Sequence, residues 1–359
     1  MYKYQIIYED IKNKILNKIY KKGDQIPCEE ELCKTYNVSR VTVNNALTKL
    51  KKKNYISRRI GSGSYVSYND DNREKFVSFV MLTNHRENNL VIAGINSILK
   101  DHAFKLVSSI SNDDSLNEKK IFDKLFNSNI SGIICYPFAD TKIEHWIHRI
   151  HKNIPIVFLD RYPDNFPCSS VQSNNHSGMY EITNYVIERG HKDIAYLTLP
   201  LTSLVTMKER FNGFCSCLTA HKLIFQNGYL SILPQQSRSY TEEDILPSIY
   251  NLMTLPKPPS VIICANDTLA HTCIIAAQTL GLRVPEDISI TGFDDIYQSS
   301  HSTPKLTTMQ QPFYQMGQTA AKLLCDSMLS GDETISRIYL KTHLIERESV
   351  KDLTENGEN

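Results

Sequence analysis

Short apolar segments alternate with amphipathic segments along most of this 359-residue chain, from Phe76 onwards. Buried parallel strands are apolar on both faces because helices cover both sides of their sheet, so the alternation predicts an α/β fold with parallel sheets. The pattern continues for about 280 residues, more than one sheet of ordinary size needs, and we expect two α/β lobes. The expected strands are residues 77–82, 132–135, 155–159, 194–197, 261–264 and 288–291, and the expected helices include residues 90–99, 177–189 and 268–280.

The beginning of the chain differs from the rest in charge. Residues 1–68 contain fourteen Lys and Arg against six Asp and Glu, a net charge of +8, whereas the remainder has 26 basic and 33 acidic residues, a net charge of −7. This asymmetry predicts a basic module that meets a polyanion, attached to a body that does not. A surface of solvated lysines is the alternative. No run of eighteen apolar residues occurs, which argues against a membrane span.

The cysteines indicate the compartment. Nine cysteines are scattered along the chain without a C-x-x-C pair, a usage typical of a reducing compartment and not of a disulfide scaffold or a zinc ribbon. The first residues, M-Y-K-Y-Q-I-I-Y-E-D, lack the apolar core of a signal peptide. We therefore expect a cytoplasmic protein without a metal site. His145, His148 and His151 have helical spacing, but the further ligands that a metal needs are missing nearby.

Residues 1–67 have the pattern of a winged helix-turn-helix. Pro27 before three glutamates predicts the start of a second helix, and Ser39 is a good N-cap for a third. Residues 55–60 and 64–66, separated by a G-S-G turn, predict a two-stranded hairpin. An amphipathic first helix is predicted by the four-residue repeat of Ile7, Ile11, Ile15 and Ile19.

The string V-S-R-V-T-V-N-N-A-L at residues 38–47, with I-P-C-E-E-E-L before it and G-S-G-S-Y-V after it, resembles the GntR family of bacterial repressors. Cys28, Asn44 and Ser64 stand where that family usually has Ser, Arg and Thr. The resemblance implies a head that binds double-stranded operator DNA as part of a homodimer, at the bacterial nucleoid. Asn44 departs at a position where the resemblance implies a base contact.

The start of the third helix is the end that enters a major groove. There Arg40 can bond guanine and Asn44 can bond adenine, whereas the basic side chains further along contact phosphates. Glycines would let the wing approach DNA closely. A helical bundle that binds protein is the alternative. The predicted DNA-binding residues are Lys3, Ser39, Arg40, Val41, Thr42, Asn44, Lys49, Arg58, Arg59, Gly61 and Gly63.

Three strings in the body, V-I-I-C-A-N-D-T-L-A (261–270), G-L-R-V-P-E-D-I-S-I-T-G-F-D-D (281–295) and L-T-T-M-Q-Q-P (306–312), resemble the LacI/GalR family of sugar-responsive regulators. The resemblance implies an effector domain like the periplasmic sugar-binding proteins, with a ligand between two lobes and a dimer contact on the body. A GntR-type head on such a body is similar to the AraR-like repressors.

The combined resemblance implies a transcriptional repressor that a monosaccharide releases from its operator, with no further cofactor. L-Arabinose is the first expectation. L-Fucose, a nucleoside or a phosphosugar remain alternatives, as does an activator or a regulator that needs its ligand as co-repressor. We do not expect an enzyme, because the adjacent Asp294 and Asp295 are badly placed to flank one glycosidic bond.

The same resemblance implies where the ligand lies. The matching residues follow apolar strands or begin helices, where the strand-end loops of an α/β sheet meet, and their carboxylates and amides suit a polyol. Phe158 and Phe293 are candidates to stack on a sugar, and the first-lobe loop 84–89 is in a corresponding place. Asp295 should point away from Asp294. The predicted ligand-binding residues are Asp160, Arg161, Arg210, Asn266, Phe293, Asp294 and Gln310.

A polar segment, residues 68–75, separates the predicted head (1–67) from the predicted body (76–350), and a polar tail (351–359) follows. The segment has no periodic apolar face, so we expect a mobile tether. Limited proteolysis of the DNA-free protein should therefore cut first within residues 68–75 and give a basic head and an intact body, as mass spectrometry of the fragments can measure. Resistance of this segment would contradict the expectation.

Overall fold

The computed structural model describes residues 3–59, 63–68, 75–112, 114–138, 154–162, 167–201, 204–234, 240–330 and 334–354. The chain divides into two compact units, Met1–Glu74 and Lys75–Asn359, called the head and the body below. Most of the predicted tether, residues 69–74, lies outside the described residues, as do Gly61, the end of the polar tail and His145, His148 and His151.

The head has the predicted winged helix-turn-helix elements. Their bounds are α1 (Lys3–Leu16), α2 (Glu29–Tyr36), α3 (Arg40–Lys52), β1 (Ile56–Arg59) and β2 (Gly63–Val66). The two strands pair antiparallel, and the apolar faces of the helices share one core with the hairpin.

Two ends of the head helices differ from the sequence prediction. Ile7, Ile11 and Ile15 are buried as expected, but Ile19 is 64% exposed, because α1 ends at Leu16 before reaching it. The second helix begins two residues after Pro27. Its N-cap is Cys28, whose backbone N–H donates to the Glu31 carboxylate at 3.0 Å.

The first lobe of the body is a parallel sheet with helices on both faces. Its six strands lie in the order β13–β7–β6–β5–β3–β4 and are all parallel. The elements are β3 (Lys75–Met81), β4 (Phe104–Ile110), β5 (Ile130–Cys135), β6 (Ile156–Leu159), β7 (Ser169–Ser173), β13 (Arg337–Leu340), α4 (Asn88–Leu99), α5 (Ser115–Phe126) and α10 (Phe313–Ser330).

The second lobe repeats this architecture with one reversed edge strand. Its six strands lie in the order β14–β12–β11–β10–β8–β9, and only β14 is antiparallel to its neighbour. The elements are α6 (Asn175–Glu188), β8 (Ile194–Thr198), α7 (Val205–Ala220), β9 (Leu230–Ile232), α8 (Glu242–Met253), β10 (Val261–Cys264), α9 (Asp267–Thr279), β11 (Ser289–Asp294), β12 (Thr307–Gln310) and β14 (His343–Ile345).

Within the described residues the chain passes between the lobes three times: after β7, after β12 and after β13. The crossing segments bond to one another. The Ser173 hydroxyl donates to Gln311 Oε1 at 2.7 Å, and the Asn174 N–H donates to the Leu340 carbonyl at 2.8 Å. These bonds tie the three crossings into one hinge. None of the described helices is long and apolar enough to cross a membrane.

Two glycines set the packing of α4 against α10 in the first lobe. A Cβ on Gly94 would lie 2.1 Å from the Tyr314 carbonyl oxygen, and a Cβ on Gly317 would lie 2.2 Å from the Val91 carbonyl oxygen. Both contacts are with backbone, which cannot move aside as a side chain can. The two helix backbones therefore approach closely only because both residues lack a side chain.

Gly94→Ala should destabilise the body by about 1–3 kcal/mol, because the new methyl must push α4 away from α10. In an exposed helix the same change would stabilise by up to about 1 kcal/mol, so the sign is diagnostic. Urea unfolding followed by circular dichroism measures it. The exposed Asn96 of the same helix gives the control, since Asn96→Ala should change stability little. An unchanged or raised midpoint for Gly94→Ala would contradict the close approach.

Candidate functional site

A cavity of about 450 Å³ lies between the two lobes of the body. Its walls come from loops at the carboxyl ends of strands in both sheets, where ligands of α/β proteins bind. Five predicted residues line it: Asp160, Arg161, Arg210, Asn266 and Asp294. Sequence reasoning missed other lining residues, among them Tyr136, Thr206, His271, Tyr297, Gln311 and Phe313.

Asp160 follows β6 and presents a carboxylate that the protein satisfies only in part. Its residue is 4% exposed, and its backbone is left-handed with φ 60°. The Tyr136 hydroxyl donates to Asp160 Oδ2 at 2.8 Å, and Arg161 Nε lies 3.7 Å from the same oxygen. Among the described residues, neither Asp160 Oδ1 nor Arg161 Nε has a hydrogen-bond partner. A buried acceptor and a buried donor are thus left side by side at the cavity.

Arg210 lies on α7, and each of its three guanidinium nitrogens contacts another group of the protein. Its Nε donates to Asn175 Oδ1 and its Nη1 donates to the Ala265 carbonyl, both at 2.8 Å, while Nη2 lies 3.1 Å from Asp294 Oδ1. Burial raises the pKa of Asp294 to about 7, and the Arg210 charge opposes that rise. Arg210 therefore forms the floor of the cavity and fixes the Asp294 carboxylate.

At the ends of β11 and β12, alternate side chains point towards the cavity and away from it. On the cavity side, Gln311 Nε2 donates to Asp294 Oδ1 at 2.6 Å. On the other side, Gln310 Nε2 donates to Asp295 Oδ2 at 2.8 Å, and Arg347 pairs with Asp295 at 2.7 Å. The structure thus agrees with the expected orientation of Asp295. Gln310, predicted as a ligand contact, is not among the residues that line the cavity, whereas Gln311, one residue on, is.

The two aromatic residues predicted to stack on a sugar, Phe158 and Phe293, lie in the core of the body. Phe293 is completely buried, and the Arg210 guanidinium covers its ring at 3.8 Å. Phe158 is likewise completely buried, in the core behind the first-lobe sheet. Neither ring is among the residues that line the cavity, and as sugar-stacking residues both stay untested. The aromatic rings that do line the cavity are Tyr136, Tyr297 and Phe313.

The start of α9 positions a loop of the cavity wall. Asn266 is the N-cap, with Oδ1 accepting from the Leu269 N–H at 2.8 Å. The next residue, Asp267, is completely buried and accepts from the Ile296 N–H at 3.0 Å and the Ser299 hydroxyl at 2.6 Å. Burial raises its pKa to about 6, although these bonds lower it. Asp267 therefore holds the loop that carries Tyr297.

The two lobes touch at the rim of the cavity. Glu87 Oε1 accepts from the Tyr297 N–H at 3.0 Å, and the Arg86 guanidinium lies over the Tyr297 ring at 3.8 Å. His301 stacks on the same ring, with centroids 4.0 Å apart. The Glu87 and Arg86 contacts come from the first-lobe loop 84–89, which the sequence had placed near the ligand. They bridge the two lobes at one point of the rim.

In the head, the start of α3 is exposed as a groove-reading helix requires. The Arg40 side chain is 75% exposed and Val41 is 70% exposed. Ser39 caps the helix, with Oγ accepting from the Thr42 N–H at 3.4 Å and bonding the Thr42 hydroxyl at 3.0 Å. Asn44, one turn on, is also exposed and accepts a hydrogen bond from the wing residue Arg58.

Glu29, the first residue of α2, holds two of the predicted DNA contacts. Its Oε2 accepts from Arg40 Nε at 2.9 Å, and its Oε1 lies 3.6 Å from Arg58 Nη2. The three side chains come from α2, α3 and β1, so the ion pairs join the recognition helix to the wing. Sequence reasoning missed Glu29 because an acid is not an expected neighbour of DNA.

Two predicted contacts also have a role within the head itself. The Lys49 ammonium lies over the Tyr8 ring, 4.4 Å from its centroid, and so packs α3 on α1. Gly63 has φ 107°, and a Cβ there would lie 2.6 Å from Gln25 Nε2. The positive φ already favours a glycine at this position, whereas the end of the Gln25 side chain could move aside.

Two others are placed only in part. Lys3 is exposed in the first turn of α1. Arg59 pairs with Gly63 through its backbone. As DNA contacts, the eleven head residues stay predictions.

Comparisons with known proteins agree with both units. Residues 3–66 match the family described as bacterial regulatory proteins, gntR family, and residues 183–350 match the periplasmic binding protein-like domain. A probable HTH-type transcriptional regulator named EndR, from Paenibacillus polymyxa, is 30% identical over 246 residues, which cover 67% of this chain and 70% of the relative. The chain belongs to the HTH-type transcriptional regulators with a gntR-type head. The predicted combination of head and body is confirmed.

The regulator is similar to one relative over nearly its whole length. The arabinose metabolism transcriptional repressor of Halalkalibacterium halodurans is 27% identical over 339 residues, 90% of this chain and 88% of the relative. The predicted fold class is confirmed by solved structures. Transcription regulator CcpA of Lactococcus lactis has a TM-score of 0.69 at 23% identity, covering 78% of this chain and 100% of its own. A LacI family regulator from Enterococcus faecium, with bound ribose, has a TM-score of 0.65 at 23% identity, covering 77% and 99%.

The contact between Glu87 and Tyr297 can be tested without a ligand. Glu87→Ala removes the acceptor of the Tyr297 N–H, so exchange of that amide with deuterium should be roughly three- to tenfold faster, as the loss of one hydrogen bond implies. Mass spectrometry of a peptide that spans residues 295–300 measures the rate. Asn89→Ala, an exposed change in the same first-lobe region, should leave it unchanged. Equal exchange rates of this amide in the wild type and both variants would contradict the contact between Glu87 and Tyr297 in solution.

Proposed function

We propose that this regulator is a repressor of carbohydrate-utilisation genes, released from its operator by a neutral monosaccharide bound between the lobes. The observation that carries the proposal is the pair of unsatisfied buried atoms, Asp160 Oδ1 and Arg161 Nε. A buried polar atom without a partner costs about 1–3 kcal/mol. A hydroxyl both donates and accepts, so adjacent hydroxyls of a sugar satisfy both atoms at once.

The balance of charge in the cavity favours a neutral ligand. Arg210 is paired with Asp294 at 3.1 Å, and Arg161 is paired with Asp160 at 3.7 Å. A phosphate or carboxylate ligand would have to compete with these carboxylates for the arginines. We therefore favour a free sugar over a phosphosugar. The volume, about 450 Å³, is at the small end for ligand sites and suits one sugar ring.

The names of similar proteins supply the first candidates. One relative is an arabinose metabolism repressor, and one structure of similar fold holds ribose. L-Arabinose is our first candidate and L-fucose the second. We propose that the cavity binds its ligand without catalysis, because the similar proteins are transcription regulators.

The switch we propose couples cleft closure to DNA spacing. Two copies of the chain pair through their bodies, and the pairing sets the distance between two heads on a palindromic operator. Half-sites are about 34–36 Å apart per helical turn, so a changed spacing weakens binding. A ligand shifts this equilibrium only by its differential affinity for the two states, typically about 1–3 kcal/mol. Action on operator DNA would place the protein at the nucleoid in the cytoplasm.

The test is calorimetric titration of L-arabinose, L-fucose, ribose, a nucleoside and arabinose 5-phosphate into the full-length protein. A neutral sugar should bind and the phosphosugar should not. Asp160→Asn puts a donor or a neutral acceptor where Oδ1 lies and should weaken sugar binding about tenfold or more. Asn tolerates the left-handed backbone at this position (φ 60°), so the variant should fold.

Asp295→Asn is the matched control, because Asp295 also has a left-handed backbone, with φ 57°, but faces away from the cavity. Its sugar affinity should equal that of the wild type. Arg210 is a poor choice for the same test, since its removal would leave the half-buried Asp294 without its counter-charge. Tight binding of the phosphosugar alone would contradict the neutral ligand.

Reciprocity tests the switch. Operator, selected by the protein from a random duplex pool, must weaken sugar binding by the same factor by which sugar weakens operator binding. Identical sugar affinity with and without operator would rule out an inducer. Tighter sugar binding on the operator would make the sugar a co-repressor.

A further inference from the structure

The amide of Asn44 on the recognition helix faces a guanidinium. Arg58 Nη1 donates to Asn44 Oδ1 at 2.8 Å. A guanidinium has five donors and no acceptor, so the amide atom that faces it must be the oxygen. The Asn44 amide nitrogen, with two donors, is therefore the atom left to the outside.

The Arg58 side chain is held in this position before any DNA arrives. It is 28% exposed, and its Nη2 lies 3.6 Å from the Glu29 carboxylate, which also accepts from Arg40 Nε at 2.9 Å. Arg58 thus belongs to the face of α3 and is tied to α2 as well. The sequence had placed it on a wing that reaches out to phosphates.

This geometry decides which base Asn44 can read. Recognition of adenine by Asn needs its oxygen to accept from N6 and its nitrogen to donate to N7. In this head the oxygen already accepts from Arg58, and an adenine amino group would bring a second donor up against the guanidinium. Guanine presents two acceptors, N7 and O6, in the major groove. The Asn44 nitrogen and Arg58 Nη1 are donors only and match that edge, whereas Arg58 Nη2 is buried beside Glu29 and does not take part.

We propose that Asn44 and Arg58 act as one unit that selects guanine, and rejects adenine, at a single position of each operator half-site. The inference rests on the proposed binding of operator DNA by α3. It assigns Arg58 a specificity role that its place on the wing strand did not suggest. It also reverses the adenine contact expected from Asn44 alone.

The test begins with operator selection from a random duplex pool by the full-length protein. The base read by the unit is the one whose preference disappears with Asn44→Ala. In the wild-type selection that base should be guanine. Replacing it by inosine, which keeps N7 and O6, should leave affinity unchanged, whereas 7-deazaguanine, which lacks N7, should weaken binding roughly tenfold.

Two variants test the separate contributions of Arg58 and Asn44 to the base preference. Arg58→Ala frees the Asn44 oxygen, so preference at this base should shift from guanine towards adenine by roughly tenfold. Asn44→Asp keeps an oxygen for Arg58 and removes both amide donors, so guanine preference should be lost. Asn13→Asp, an exposed change on α1, adds the same charge to the head as a control and should keep the guanine preference.

The outcomes distinguish this inference from the function on which it rests. If no selected duplex binds better than random DNA, the head does not read sequence and the proposed function fails. If a selected operator exists but the wild type prefers adenine at this base, the unit is wrong and the function stands. An unchanged preference in Arg58→Ala would also overturn the unit.

Discussion

The largely buried ion pair between Arg210 and Asp294, whose side chains are 3% and 20% exposed, is the interaction on which the ligand cavity depends. Removing two charges from water is costly unless their remaining bonds are made, and here each partner continues into a further contact. Arg210 also bonds Asn175 and the end of β10. Asp294 accepts from Gln311, which itself accepts from Ser173. The pair therefore joins the first two crossings of the hinge to the floor of the cavity.

This network fixes the second-lobe wall before a ligand arrives, and preorganised groups bind with a smaller loss of entropy. The first-lobe wall is different. Asp160 and Arg161 keep unsatisfied atoms, and the loop carrying Arg86 and Glu87 contacts Tyr297 of the second lobe. In the proposed switch, the ligand therefore supplies the missing hydrogen bonds of the first-lobe wall, and this is how it would favour the closed cleft.

In the body, the sequence predicted mainly the strands that are buried on both faces of their sheet. The central strands β3, β5, β6, β8, β10 and β11 were found because they are continuous apolar runs. Strand β7, S-S-V-Q-S, is mostly buried but polar, and β4 is an edge strand with exposed positions, so neither shows such a run. Asp160 and Asp294 were predicted from the resemblance to the LacI/GalR family, and their positions at strand ends agreed with it. Gln311 and Tyr297 were missed because their placement depends on the hinge and on contact between lobes.

The balance of charge differs between the cavity of the body and the exposed face of the head, and so do the ligands that each would favour. In the cavity, the carboxylates of Asp160 and Asp294 each lie beside one arginine, and the wall also has Arg86 and Glu87, of opposite charge. This balance is the reason for proposing a neutral ligand. On the head, the single carboxylate of Glu29 is shared by Arg40 and Arg58, and residues 1–68 have a net charge of +8. One acid between two arginines positions both of them and neutralises only half of their charge. The remainder is available to a polyanion, which is why an acid can sit at the centre of a DNA-reading surface without weakening it.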